Sequence, residues 1–258
     1  MTHKATGSRA LSSDALARVE GEGAMRVEIR DGQVVDVQLN IYEPPRFFEG
    51  FLRGRGFAEP VDITARICGI CPVAYQMSAC AAIEDAVGVT VDGALRELRL
   101  LLYCGEWIES HALHIHFLHA PDFLGFDSAI SLAAVDRAVV ERGLEVKRIG
   151  NRILEVVGGR AIHPVNVKVG GFFRVSTARE LEPLRAELER GLELAVQVVD
   201  WVAGFDFPDQ ELDCELVAAD HPTEYPMLAD RVISDRGLDI AAAEWLDHIE
   251  EFQVPHST

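Results

Sequence analysis

The stretch Arg66-Ile67-Cys68-Gly69-Ile70-Cys71-Pro72 joins a glycine-rich loop to an alanine-rich apolar run and carries the one closely spaced cysteine pair of the chain. Gly50, Gly54 and Gly56 lie upstream, and Val73 to Val87 lies downstream. Pro72 suits the first turn of a helix, where its missing N–H costs nothing, and Gly88 suits the end of one. The cysteines therefore sit at a loop-to-helix junction, at a spacing that lets both sulphurs turn toward one point. The positive end of the helix lies beside them and favours thiolate over thiol, and Arg66 adds charge in the same direction. Thiolates are soft donors, which select nickel, zinc or iron over magnesium or calcium. By itself the pair leaves open half a zinc site, a redox dithiol, or another metal cluster. No second pair exists to close a zinc site, because Cys80, Cys104 and Cys214 are scattered. A thioredoxin-like dithiol follows a strand, whereas a glycine-rich loop precedes this pair.

Working outward, Val27 and Ile29 alternate with charged residues, Asp31-Gly32 is a hairpin signal, and Val35, Val37 and Leu39 alternate again. This predicts strands over 24–42, followed by a loop from Pro44-Pro45 through the glycines. Downstream, helices are expected over 72–87, from Asp92 to about His119, and from about Ser128 to Val157 before Gly158-Gly159. A further helix is expected from the capping box Thr177-Ala178-Arg179-Glu180 to Ala203. Beyond Phe205 the pattern is mixed, with a possible helix from Ala241 to Phe252. The predicted fold class is α+β: a long-helix bundle behind a small N-terminal antiparallel β element. Residues 1–14, small and polar, are predicted to be disordered, and 15–258 to form one domain. Cys80 and Cys104, on helices, read as small core residues.

The chain has 258 residues, 48% of them apolar, enough for one substantial core or two small ones. It carries 24 basic and 42 acidic side chains, a formal charge of −18. That excess argues against a nucleic-acid binder, which needs a basic stripe, and against docking on anionic lipid. No apolar run approaches the ~18–20 residues of a membrane span, so none is expected. Met1 to Asp14 lacks the apolar core of a secretory signal, and five cysteines do not suggest a disulfide scaffold. A cytoplasmic location is expected.

Arg66-x-Cys68-Gly69-x-Cys71-Pro72 before an alanine-rich helix resembles the first cysteine motif of the nickel–iron hydrogenase large subunit. Arg18-Val19-Glu20-Gly21 with Gly23 resembles the family's N-terminal Arg-x-Glu-Gly motif. Phe48-Glu49-Gly50-Phe51 is similar to the acidic segment ahead of the cysteines. Glu109-Ser110-His111 with His114, His116 and His119 is similar to a later His-rich helix. The motifs fall in the family's order, and the resemblance runs from about Arg18 to His256. It implies that Cys68 is a terminal nickel ligand and that Cys71 bridges nickel and iron, the iron carrying cyanide and carbon monoxide. It further implies that Glu20 moves protons to and from a nickel-bound cysteine, with Arg66 also among the catalytic residues. Glu49 would bind magnesium, a hard ion suited to a carboxylate oxygen. The implied reaction is heterolytic cleavage of hydrogen and its reverse. Electrons would leave through a small subunit holding iron–sulphur clusters, since too few cysteines remain here to bind one.

At about 100° per helical residue, His111 and His114 share one side and His116 and His119 another, so the four cannot form a single site. Packing and hydrogen bonding around a buried cofactor or subunit surface is their expected role. Two positions depart from the family pattern. Tyr75 stands four residues after Cys71, where many relatives carry a histidine that donates to sulphur. Ser110, preceded by Glu109, replaces an aspartate between two histidines. Both changes resemble the soluble multi-subunit branch that couples hydrogen to nicotinamide or another soluble carrier, which implies diaphorase-type partners. The last family motif, Asp-Pro-Cys-x-x-Cys with a following histidine, is absent. The chain is therefore expected to be the front part of the large-subunit domain, without the C-terminal part that holds the second cysteine pair, and inactive alone. The rival readings are a non-enzymatic zinc or scaffold subunit of a hydrogenase-like assembly, and a relative of the quinone-site subunit of complex I. Members of that last group lack the cysteine pair.

Overall fold

Alternating apolar and charged residues on either side of Asp31-Gly32 make the hairpin that the sequence announces. The structure, a computed structural model, describes residues 7–43, 47–250, 252 and 254–255. It divides into two compact units, Met1–Gly50 with Ala243–Thr258, and Phe51–Ala242, where the sequence predicted a single domain over 15–258.

In the first unit, β1 (Ser8–Ser13), β2 (Gly23–Arg30) and β3 (Gln33–Ile41) form an antiparallel sheet in that order. Arg30 faces Gln33, which leaves Asp31 and Gly32 as a two-residue turn with φ of 50° and 80°. Asp-Gly tolerates two positive φ values, which the right-handed twist of a hairpin demands. Val27 faces both Leu11 and Val37, and Met25 faces Leu39, so one face of the sheet is apolar. β1 corrects the expected disordered start. It is mostly exposed and held by its backbone ladder to β2, so no apolar alternation marks it in the sequence. Residues 1–6 of that expectation lie outside the described residues, as do 44–46 of the expected loop. The rest of that loop contains a short helix, α1 (Phe48–Leu52).

The second unit contains α2 (Glu59–Thr64), α3 (Pro72–Val87), α4 (Gly93–Leu113), α5 (Ala120–Phe123), α6 (Ala129–Val135) and α7 (Arg137–Gly158). After these come β4 (Val167–Lys168), β5 (Gly171–Phe172), α8 (Ala178–Val202), β6 (Val217–Asp220), β7 (Arg231–Ser234) and β8 (Asp239–Ala241). α3 starts at Pro72 and ends on left-handed Gly88, φ 70°, as predicted. Thr177 and Glu180 form the predicted reciprocal cap of α8. The helix expected from Ser128 to Val157 is two helices. Asp136 leaves the helical region (φ −132°, ψ 83°), and its carboxylate accepts the Val139 N–H at 3.2 Å, capping α7. The helix expected over 241–252 shrinks to α9 (Trp245–His248), because Ala241 is taken into β8 opposite Arg231 and Ile249 turns extended.

α4 and α7 pack most closely where Gly105 meets Gly150: a Cβ on Gly150 would stand 2.6 Å from the Gly105 oxygen and the Glu109 nitrogen. Around this contact Val73, Met77 and Cys80 of α3 pack with Leu98 and Leu102 of α4, Ile153, Leu154 and Val157 of α7, and Leu184 of α8. One ion pair is buried in the same layer. Arg99 (5% exposed) clasps Glu84 (6% exposed) through two bonds of 2.8 and 2.6 Å. The Gly170 N–H donates to Glu84 and Arg99 donates to the Lys168 carbonyl, while Arg99 Nε stays without a hydrogen-bond partner among the described residues. Burial pushes the Glu84 carboxyl up, but the guanidinium and the Gly170 amide outweigh it and hold the group below its ordinary value. Among the described residues, no helix is long and apolar enough to cross a membrane.

Candidate metal centre

α2 runs into one tight turn, Ala65–Ile67, after which Cys68 is extended (φ −137°, ψ 139°) and Cys71 becomes the N-cap of α3. Buried Ala65 and Val73 anchor the two ends of this junction. Cys68 Sγ accepts the N–H groups of Ile70 at 3.3 Å and Cys71 at 3.2 Å. Two amide donors aimed at one sulphur complement negative charge there. Both cysteines are half-buried and neither is in a disulfide. Cys80 is fully buried in the core, as expected, whereas Cys104 is half-buried and lies outside the core cluster. Burial raises the Cys104 thiol and pushes that of Cys80 up to about 11, the nearby Arg99 opposing and Glu84 reinforcing the latter shift.

The junction is clamped from two directions. From α4, the Glu106 carboxylate accepts the Val73 N–H at 2.5 Å and the Ala74 N–H at 3.2 Å. From the loop after α7, His163 Nδ1–H donates to the Ala65 carbonyl at 2.8 Å, while Gln76 Nε2 donates to the Pro164 carbonyl at 2.5 Å. His163 takes φ 49°, an uncommon conformation for a non-glycine residue that the surrounding contacts must hold. Glu106 is 2% exposed. Burial pushes its carboxyl up to about 7, with the Glu109 charge adding to the rise and the two amide bonds opposing it.

The structure brings Arg66, Cys68 and Cys71 together in one segment, with Arg66 exposed on the tight turn. Glu20 and Glu49 belong to the first unit. Glu20 is exposed in the loop between β1 and β2, where Arg18 (φ 67°) and Gly21 (φ 82°) are both left-handed. Glu49 is exposed in the first turn of α1. Sequence reasoning missed Glu106 and His163. The signal for Glu106 was an acid on the apolar stripe of α4, one turn after Leu102 and two after Leu98. His163 carried no signal, because its partner lies 98 positions away.

The histidine helix departs from the regular geometry assumed for it. α4 stops at Leu113, and His114–His119 continue as a π-helical segment. The wider turn stacks His114 on His119, with ring centroids 6.1 Å apart, instead of grouping His116 with His119. His116 is 1% exposed and stacked on Trp201 at 5.2 Å. Burial, with the Arg142 charge, pushes its pKa down to about 4. His111 stacks on Trp107 and donates to its carbonyl at 2.7 Å. Glu109, beside the position where Ser110 replaces an aspartate, is buried and paired with Lys147. His111 and His114 pack and hydrogen-bond, while His116 packs in the interior with neither ring nitrogen hydrogen-bonded among the described residues.

Two thiolates from one junction fit part of a soft-metal site. Among the described residues, no group of three or more His, Cys, Asp or Glu could hold a metal ion, so further donors are required beyond this pair.

The family model for nickel-dependent hydrogenases matches residues 46–142, which contain both cysteines, Glu106 and the histidine helix. The chain is 34% identical over 252 residues to the alpha chain of sulfhydrogenase 1 from Pyrococcus furiosus, covering 96% of this chain and 58% of that protein. It is 41% identical over 186 residues to the alpha chain of sulfhydrogenase 2 from the same organism, covering 72% of this chain and 45% of that one. Among solved structures, an NAD+-reducing NiFe-hydrogenase in the H2-reduced state matches with a TM-score of 0.79 and 27% identity, over 96% of this chain and 60% of the other. The chain thus spans less than two thirds of the length of each protein it matches here. Its cysteine junction lies inside the matched segment and its helices follow the same architecture; the chain belongs to the nickel-dependent hydrogenase large-subunit family.

Proposed function

We propose that this chain supplies the first thiolate pair of a nickel–iron centre in a hydrogenase catalytic subunit, with Cys68 and Cys71 as the residues that would hold the metals. The observation that carries this reading is the junction itself: two half-buried sulphurs at a helix start, one of them facing two amide donors, inside the segment matched by the family model. When bound, the nickel–iron group, its iron carrying cyanide and carbon monoxide, supplies the centre at which hydrogen is split heterolytically or re-formed. The remaining ligands belong to a second cysteine pair outside this sequence.

The chain's own residues bind that group and handle protons. Glu20 would be the carboxylate that carries protons for the complete centre, a task its chemistry suits. Its loop conformation, with a left-handed non-glycine residue at Arg18, supports a built rather than incidental position. Arg66 contributes positive charge beside the thiolates. Glu49 supplies a carboxylate oxygen to magnesium. Electrons leave through an iron–sulphur small subunit. The match to an NAD+-reducing enzyme supports a soluble carrier and, with it, a diaphorase-type partner. The scaffold alternative has no observation in its favour.

The test measures hydrogen-dependent acceptor reduction and nickel content on the same preparations of the complete enzyme. Glu20→Gln preserves size but cannot shuttle a proton. Turnover should fall by at least ~10²-fold, the low end for losing a general acid–base group, with nickel retained. Near wild-type turnover with full nickel would move the proton route elsewhere. A complete enzyme holding zinc and no nickel would favour the scaffold reading.

A further inference from the structure

α3 begins without the usual kind of cap. An N-cap Ser, Thr, Asp or Asn ordinarily accepts the N–H of the second or third helical residue through its own side chain. Here the N-cap is Cys71, which makes no such side-chain bond. The second residue, Val73, and the third, Ala74, donate instead to the two carboxylate oxygens of Glu106, at 2.5 and 3.2 Å. These are the amides a capping side chain would have taken. Glu106 reaches them from the middle of α4, and both its oxygens are occupied. α4 is in turn fixed on α7 at the Gly105–Gly150 contact, so the first turn of α3 is referenced to a close helix–helix contact of the second unit.

We propose that Glu106 is a positioning residue for the metal centre, performing from α4 the capping duty that an ordinary N-cap side chain would perform and so fixing the backbone from which Cys71 presents its sulphur. The inference rests on the reading of Cys71 as a ligand. A cap supplied in trans resolves a conflict of geometry. A sulphur drawn onto the helical amides points along the helix axis, while a ligand sulphur must point at the metal. With the amides satisfied by a buried carboxylate, the helix start keeps its hydrogen bonds whatever the direction of the sulphur. Residues that orient a ligand without touching the metal typically govern metal affinity over 10–100-fold.

The experiment uses the complete enzyme carrying Glu106→Ala, Glu106→Gln or Cys71→Ser. Nickel per protein, the nickel electron paramagnetic resonance spectrum and amide hydrogen exchange are measured on the same preparations. Glu106→Ala should speed exchange across Pro72–Gln76, leave exchange across Ile149–Val157 unchanged, lower nickel by about tenfold or more and shift the spectrum of what remains. Glu106→Gln, which keeps one acceptor oxygen but turns an NH2 donor toward the other amide, should retain clearly more nickel than Glu106→Ala and less than wild type. Wild-type nickel and spectrum in an Ala variant with an exposed first turn overturns the proposal, as does a Gln variant as depleted as Ala. If the Ala variant does not accumulate, Glu106→Asp, whose shorter arm cannot serve both amides, must show the same nickel loss. Wild-type nickel there is also contrary. Nickel retained in Cys71→Ser refutes the ligand reading itself; nickel lost there but kept in Glu106→Ala refutes only the positioning role.

Discussion

Replacing Gly150 by Ala tests the helix contact that supports the candidate site. The new Cβ would stand 2.6 Å from the Glu109 nitrogen and the Gly105 oxygen, and 2.9 Å from the Glu109 Cβ. Ordinary contact begins at 3.4 Å, so α4 and α7 must part by about 0.8 Å at this point. None of the three atoms can rotate away, because two are backbone and the third is fixed to it. Helix propensity favours Ala over Gly by about 1 kcal/mol. Overpacking costs about 1–3 kcal/mol, and rigid backbone on both sides puts this site at or above the upper end. The net expectation is a loss of roughly 2 kcal/mol or more. The same substitution at Gly191 of α8 meets only Ile149 Cδ1 and Cγ2, at 3.3 and 3.4 Å. A side chain can give by a tenth of an ångström, so propensity should win there, with a gain of up to about 1 kcal/mol. Urea unfolding of the chain reads both effects as midpoint shifts at constant slope. Shifts of opposite sign are expected. Equal stabilisation by both substitutions would show that α4 and α7 do not meet at these glycines.

Arg99→Met should cost roughly 3–5 kcal/mol in the same assay by leaving Glu84 buried without its partner, and Arg99→Met with Glu84→Leu should recover most of that loss. A single-variant cost under about 1 kcal/mol would mean that the pair is solvated. Glu106 predicts a pH dependence. Its folded carboxyl titrates near 7 against an ordinary 4.5, so the folded chain binds the extra proton between those values. Its contribution to stability is therefore fully present below about 4.5 and is lost as pH rises through 7, by about 3 kcal/mol in all. Subtracting the Glu106→Gln profile from wild type isolates this slope, because Glu84 and the other groups cancel. A flat difference between pH 5 and 8 would contradict the buried carboxyl.

What was legible in the sequence was local chemistry. Pro72 and Gly88 bound α3 because one lacks an N–H and the other tolerates a left-handed end. Asp31-Gly32 and Thr177 with Glu180 act through their own neighbours, and each marked its turn or cap correctly. What stayed hidden depends on distant partners or on one residue changing role. Asp136 reads as a surface acid within a helix but is the N-cap that splits α6 from α7. The π-helical segment shifts the spacing of the histidines, which no α-helical periodicity reveals. β1 is ordered by backbone pairing and not by an apolar face. At the candidate site Cys68, Cys71 and Arg66 were readable as one motif. Glu106 and His163 were not, since they act across 33 and 98 positions respectively.

The central claim is that Cys68 and Cys71 bind nickel, and counting nickel and zinc per molecule of complete enzyme tests it most directly. The wild-type enzyme should hold nickel and no stoichiometric zinc. Cys71→Ser and Cys68→Ser should each lose most of the nickel, because a hydroxyl is a poor ligand for a soft metal. Full nickel in both serine variants, or zinc in place of nickel in the wild-type enzyme, would contradict the account.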